Sequence, residues 1–191
     1  MTDQADLLAQ FSLALTARAE LAKSAVVAIR LAHGRHITGM VWRSDVVVTS
    51  EQSLPRNDDF ELVAAGGSVI AARIAGRDPS TNIAILRPAE QLPSPSIAAG
   101  EAHTGAIALA IGADGTGGVS ARLGLVNLAG AEWHSSRGGL IDRRIVLDLR
   151  LARRGTDHQR NGSRSSRSPD GAANRKGQRA AAECALGNCG G

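Results

Sequence analysis

Between Ser24 and Pro88 the chain runs through six short β-branched segments, SAVVAIRLA, HITGMVW, DVVVTS, FELVAAG, SVIAARIAG and NIAILRP. Gly, Pro, Asp or Asn separates these runs, and their regular spacing suggests a small barrel or sandwich. The stretch AEQLPSPSIAAG, with Pro93 and Pro95 close together, predicts an extended linker. A second β set follows, GAIALAIG, GGVSARLGLVNLAG and RRIVLDLRLA, with room for about three or four strands before Gly155, where the pattern stops. Ahead of both sets, residues 3–23 carry strong helix formers with Leu7, Leu8, Phe11 and Leu15 at helical spacing and Thr2 or Asp3 as N-cap. This predicts a short amphipathic helix over 1–23 that docks on the domain behind it. Arg18 and Lys23 are its only cations, too few for a membrane-surface role.

Residues 155–191 contain no Val, Ile, Met, Phe or Trp and a single Leu186, so they have almost nothing to bury. Six Lys or Arg against three Asp or Glu give them +3 of the chain's formal +4. The expectation is a disordered basic tail behind a near-neutral body. Nucleic acid is disfavoured as a partner, because Phe11, Phe60, Trp42 and Trp133 are the only aromatics and provide no stacking platform. A solvated tail is preferred over a polyanion-binding one. Cys184 and Cys189 could close a local disulfide but do not make a four-ligand metal site. The N-terminus is acidic where a secretory signal is basic, and no apolar run has the roughly 18 residues of a membrane span, which leaves the cytoplasm as the default compartment.

The segment VVVTSEQSLP at 46–55 ends a buried-looking strand in small polar residues, as strands that present catalytic groups do. It follows TGMVW at 38–42 and precedes GRDPSTNIAIL at 76–86, IAAGEAHTGAIALAIGADGTGGVSARLGLVNLAG at 97–130 and RIVLDLRLARRG at 144–155. In this order the segments resemble the trypsin-like serine proteases of the bacterial high-temperature-requirement (Do-like) family, over roughly residues 24–154. GRDPSTNIAIL is the most specific of the matches. The resemblance implies an all-β, double-barrel fold, with residues 24–92 as the first barrel and 93–154 as an incomplete second. It also assigns the triad positions. The family's catalytic His falls on Gln52, the Asp that orients it falls on Asn82, and the nucleophile loop is replaced by TDHQR, with Asp157 at the Ser position.

Those replacements remove the chemistry the family uses. An amide has no usable pKa near neutrality, so Gln52 cannot take and return a proton, and Asn82 brings no charge to stabilise an imidazolium. The expectation is a serine endopeptidase relative that is inactive or severely impaired, with no catalytic residue and no cofactor. Two other readings stand beside it: a non-enzymatic module that binds peptide or protein on the protease scaffold, and a degenerate product of a reading-frame change near Gly155. Translating the coding DNA beyond that point in the other two frames tests the last reading.

Several polar residues have plainer readings. HSSRGGL at 134–140 places a Ser before Arg-Gly-Gly, but it precedes the IVLDL strand and predicts a polar surface hairpin. His33 and His36 are expected as solvated turn residues, and Asp78 as an Asx-type cap before Pro79. GADGTGG at 112–118 lacks the following helix with Lys-Ser/Thr of a phosphate loop and predicts a β connection.

Overall fold

The computed structural model describes residues 3–93 and 100–149. Six strands close into an antiparallel barrel: β1 (Val26–Arg30), β2 (His36–Arg43), β3 (Val46–Ser50), β4 (Asp59–Val63), β5 (Val69–Asp78) and β6 (Ile83–Pro88). Their order around the barrel is β1-β2-β3-β6-β5-β4, so β3 pairs with β6 and β4 returns to β1. The alternation of each run points one set of side chains inward. Val27, Ile29, Val41, Val47, Phe60, Leu62, Ile70, Ala84 and Leu86 form the interior. Gly39 is required by that packing, because a Cβ there would stand 2.6 Å from Val47 Cγ1.

Five further strands follow the Pro-containing segment: β7 (Ile107–Ala113), β8 (Val119–Gly130), β9 (Trp133–His134), β10 (Leu140–Ile141) and β11 (Arg144–Asp148). β11, β8 and β7 make a three-stranded antiparallel sheet, and β9 with β10 makes a two-residue hairpin over the HSSRGGL stretch. Within the described residues this second unit does not close. The all-β double-barrel architecture with an incomplete second barrel is therefore the observed fold. The expected basic tail at 155–191 lies outside the described residues.

A 20-residue helix, α1 (Asp3–Ala22), precedes the barrel. The expectation that its apolar stripe docks on the body holds only toward its C-terminal end, where Leu15, Ala19 and Ala22 are half-buried and the helix meets β7. Leu7, Leu8 and Phe11 remain exposed. Among the described residues no helix is long and apolar enough to cross a membrane.

The two units meet at the β7–β8 turn. Thr38 Oγ1 accepts a hydrogen bond from the Ala113 amide at 3.0 Å, and His36 Nε2 lies 3.2 Å from the Ala113 carbonyl. His36 is thus a half-buried strand residue that joins the units, not the solvated turn residue its neighbours suggest. His33 does sit exposed in a short 3-10 turn, with φ 62°. The turn itself is held by Asp114, whose carboxylate accepts the Thr116 and Gly118 amides at 2.8 and 3.0 Å. The Thr116 amide leads the interactions that pull the Asp114 carboxyl below its ordinary value.

Candidate functional site

The site lies where β3 ends and β6 begins. β3 stops at Ser50 because a 3-10 turn, Glu51–Ser53, follows at once, closed by the Leu54 amide donating to the Glu51 carbonyl at 3.2 Å. Leu54 is buried in the barrel core and Pro55 follows, which fixes where the turn ends. Opposite, the chain enters β6 through the turn Asp78–Asn82. Asp78 accepts the Ser80 amide at 2.8 Å, the Ser80 hydroxyl at 2.6 Å and the Thr81 hydroxyl at 2.5 Å. The Ser80 hydroxyl is the leading cause that lowers the Asp78 carboxyl to about 2. Asp78 is thus the turn cap that its place before Pro79 suggests.

Asn82 closes that turn with φ 62°, a left-handed conformation that Asn tolerates better than most residues. The geometry aims both of its oxygens at the 3-10 turn. Its side-chain Oδ1 accepts the Gln52 amide at 2.8 Å and the Ser50 hydroxyl at 3.1 Å, and its carbonyl accepts the Glu51 amide at 3.1 Å. Gln52 and Asn82, thirty residues apart, are therefore brought into contact. Asn82 is buried, whereas the Gln52 side chain faces solvent. The third position singled out in the sequence, Asp157, lies outside the described residues.

Beside this pair is a feature the sequence pattern did not expose. Glu51 is 7% exposed, and its Oε1 faces Arg77 Nη1 at 3.7 Å. The other Arg77 nitrogen, Nη2, donates to the carbonyls of Pro55 at 2.6 Å and Asn57 at 3.1 Å. A bulge in β5 between Ile74 and Gly76 shifts the register so that Arg77 stands opposite inward-facing Ala84. Without that shift a period of two along β5 sets Arg77 on the other face, which is why alternation could not find the pair. Arg77 thus clamps both ends of the loop that carries Gln52.

The second unit touches the same turn from outside. Ser135 Oγ donates to the Ser80 carbonyl at 2.5 Å while accepting the Arg137 and Gly139 amides at 3.2 Å each. Gly139 is needed for this approach, since a Cβ there would come within 2.6 Å of the Ser80 carbonyl oxygen. HSSRGGL is therefore a hairpin in which Ser135 docks on the barrel turn, while Ser136, the Ser that precedes Arg-Gly-Gly, is exposed.

Chemically, the site offers two side-chain amides, a buried carboxylate-guanidinium pair and hydroxyls committed to neighbouring side chains or, for Ser135, to a backbone carbonyl. Such an arrangement can donate and accept hydrogen bonds. Among the described residues no set of three His, Cys, Asp or Glu side chains is placed to hold a metal ion.

No family model and no curated protein matches the sequence. Solved structures do match the fold. The chain is similar to Deg5 with a TM-score of 0.58 and 21% identity, over 74% of this chain and 76% of that one. It is similar to the MamO protease domain from Magnetospirillum magneticum, in its apo form, with a TM-score of 0.54 and 19% identity, over 67% of this chain and 72% of that one. With the Rv3671c protease in an inactive form the TM-score is 0.54 and the identity 24%, over 70% of both chains. At these identities the likeness establishes the trypsin-like protease fold.

Proposed function

We propose that this chain is a serine endopeptidase relative in which the scaffold persists without the peptide-cleaving chemistry. The observation that carries this reading is that the backbone N–H of Gln52 donates to Asn82 Oδ1 at 2.8 Å, which sets these two positions side by side. In the trypsin-like fold these two places, the end of β3 and the start of β6, are where the sequence resemblance locates the base and the acid that orients it. Here both hold amides, and Asp157 takes the nucleophile's place in the sequence.

The coupled replacement is physically coherent. With no imidazolium to stabilise, a buried carboxylate at position 82 would lack its cationic partner, and an uncharged amide costs less to bury. Asn82 keeps the structural half of the role by accepting two hydrogen bonds. Loss of triad members lowers turnover in such enzymes by about 10⁴–10⁶-fold. The purified chain is expected to leave casein intact over prolonged incubation. Cleavage that rises in proportion to protein added and survives repurification would overturn the proposal.

A second reading is favoured by the closed barrel with its fully buried interior. Such a scaffold can bind a peptide or protein segment without cleaving it. Binding of a defined partner that survives removal of residues 155–191 would support that reading, and an unfolded or aggregating product would favour a degenerate gene product.

A further inference from the structure

Asn82 carries a hydrogen-bonding imbalance that the turns around it do not resolve. Its side chain is 9% exposed, and its amide has two lone pairs on Oδ1 and two protons on Nδ2. Oδ1 is fully used, accepting the Gln52 N–H at 2.8 Å and the Ser50 hydroxyl at 3.1 Å. A backbone N–H only donates, so the oxygen has to face it and the nitrogen has to face away. Among the described residues Nδ2 finds no acceptor. The described side-chain atoms that are both sealed from solvent and unbonded are Arg77 Nη1 and Trp133 Nε1, so Asn82 Nδ2 keeps an opening to the outside. A buried side chain that turns an uncommitted donor pair toward an opening is completed by an acceptor from outside.

The surroundings select the kind of acceptor. Glu51 faces Arg77 at 3.7 Å, and the Asp78–Asn82 turn is bonded by the Asp78 carboxylate from within and by the Arg137 guanidinium on the Pro79 carbonyl. Two carboxylates thus stand against two guanidinium groups. With no net charge to offset the desolvation of an ion, a neutral acceptor is favoured. Gln52 adds the second half of the selection. It is exposed beside Asn82, and its side-chain amide brings an acceptor as well as donors to the rim. The neutral group that offers a carbonyl and an N–H together is a secondary amide, the repeating unit of a peptide main chain.

We propose that Asn82 and Gln52 hold the main chain of a peptide, with Asn82 Nδ2 donating to a peptide carbonyl and Gln52 Oε1 accepting an N–H of the same segment. This rests on the reading of the chain as a peptide-binding relative and gives that reading a site. It also inverts what the resemblance implies at position 82. A carboxylate there only accepts, whereas Asn82 keeps its acceptor toward the 3-10 turn and presents a donor outward.

The probe is a neutral peptide, N-acetyl-trialanine N-methylamide, titrated into the isotope-labelled full chain and followed by NMR at the side-chain NH2 signals of Asn82 and Gln52. Saturable downfield shifts of the Asn82 pair are expected. Asn82→Asp exchanges the donor for an acceptor at nearly constant shape and keeps the bonds from Gln52 and Ser50, so affinity should fall by about tenfold or more, and Gln52→Ala should weaken it about three- to tenfold. Where Asn82→Asp lacks the wild-type far-ultraviolet spectrum, Asn82→Gly, which suits φ 62°, removes the same donor. Unchanged affinity in a folded variant at position 82 would overturn the proposal. So would equal shifts with sodium acetate, which mark a carboxylate site, and an Asn82 NH2 pair that stays unmoved and cross-relaxes with water alone. Shifts confined to other residues would overturn this site while leaving the peptide-binding reading standing, and no shift anywhere would overturn both. None of these signals depends on cleavage, so they are independent of the proposed loss of peptide-cleaving chemistry.

Discussion

The barrel of β1–β6 and the sheet of β7, β8 and β11 are written in the same kind of sequence, short β-branched or leucine-containing runs set apart by glycines and polar turns. The barrel buries thirteen residues in one cluster, whereas the sheet buries Ala108, Val126 and Ile145 and leaves four leucine or isoleucine side chains of β7 and β8 at 42–57% exposure. Leu62 in β4 and Leu125 in β8 are the same residue type in the same conformation, yet one is sealed and the other is 50% exposed. Closure accounts for the difference: six strands return on themselves and create an inside, whereas three strands have two faces and two edges. The candidate site is built almost wholly from the closed unit, and the open unit touches it through the β9–β10 hairpin.

The largest effect that would sharpen this contrast is expected at the clamp. Arg77→Ala leaves Glu51 as an unpaired, largely buried carboxylate and releases the Pro55 and Asn57 carbonyls, at a cost of about 3–5 kcal/mol in denaturant unfolding. A cost below 1 kcal/mol would mean that the loop carrying Gln52 is held by something else. Leu62→Ala in the barrel should cost about 2–5 kcal/mol, while Leu125→Ala on the open sheet should stay within about 0.5 kcal/mol in dilute solution. Equal costs at the two leucines would break the comparison outright.

Asn82 gives a smaller and more diagnostic effect. Asn82→Gly removes the acceptor for the Gln52 amide but suits φ 62°, whereas Asn82→Ala also takes on the left-handed penalty, so Ala should be the worse of the two by about 1–2 kcal/mol. The smallest effect is at the Asp78 cap. Its carboxyl is lowered to about 2 from an ordinary 3.8, so what it contributes to the turn is fully present above pH 3.8 and is lost as the pH falls through about 2. An NMR titration of the Asp78 carboxyl should show a midpoint near 2, and a midpoint near 4 would mean that the Ser80 and Thr81 hydrogen bonds do not form in solution.

Much of this was legible in the sequence, because local pattern dictated it. All six barrel strands follow from β-branched runs between turn residues, whereas Gln52 and Asn82 are paired only through the family resemblance of the segments around them. Arg77 was not legible as a clamp, since the bulge after Ile74 changes its face and no residue type announces that bulge. His36 looked like a turn residue because its partner, Ala113, is 77 residues away. The helix was expected to dock on the domain behind it, but periodicity gives the stripe without the surface that receives it.

We propose that a trypsin-like fold is kept here while the groups that activate a serine are not. Intact-mass measurement after exposure to a fluorophosphonate probe tests it most directly, because the probe modifies a serine only where a base activates it and oxyanion donors receive it. The account predicts the unmodified mass, with no adduct above that of heat-denatured protein. A stoichiometric single adduct on native protein that disappears on denaturation would contradict it and would place an activated serine in this chain.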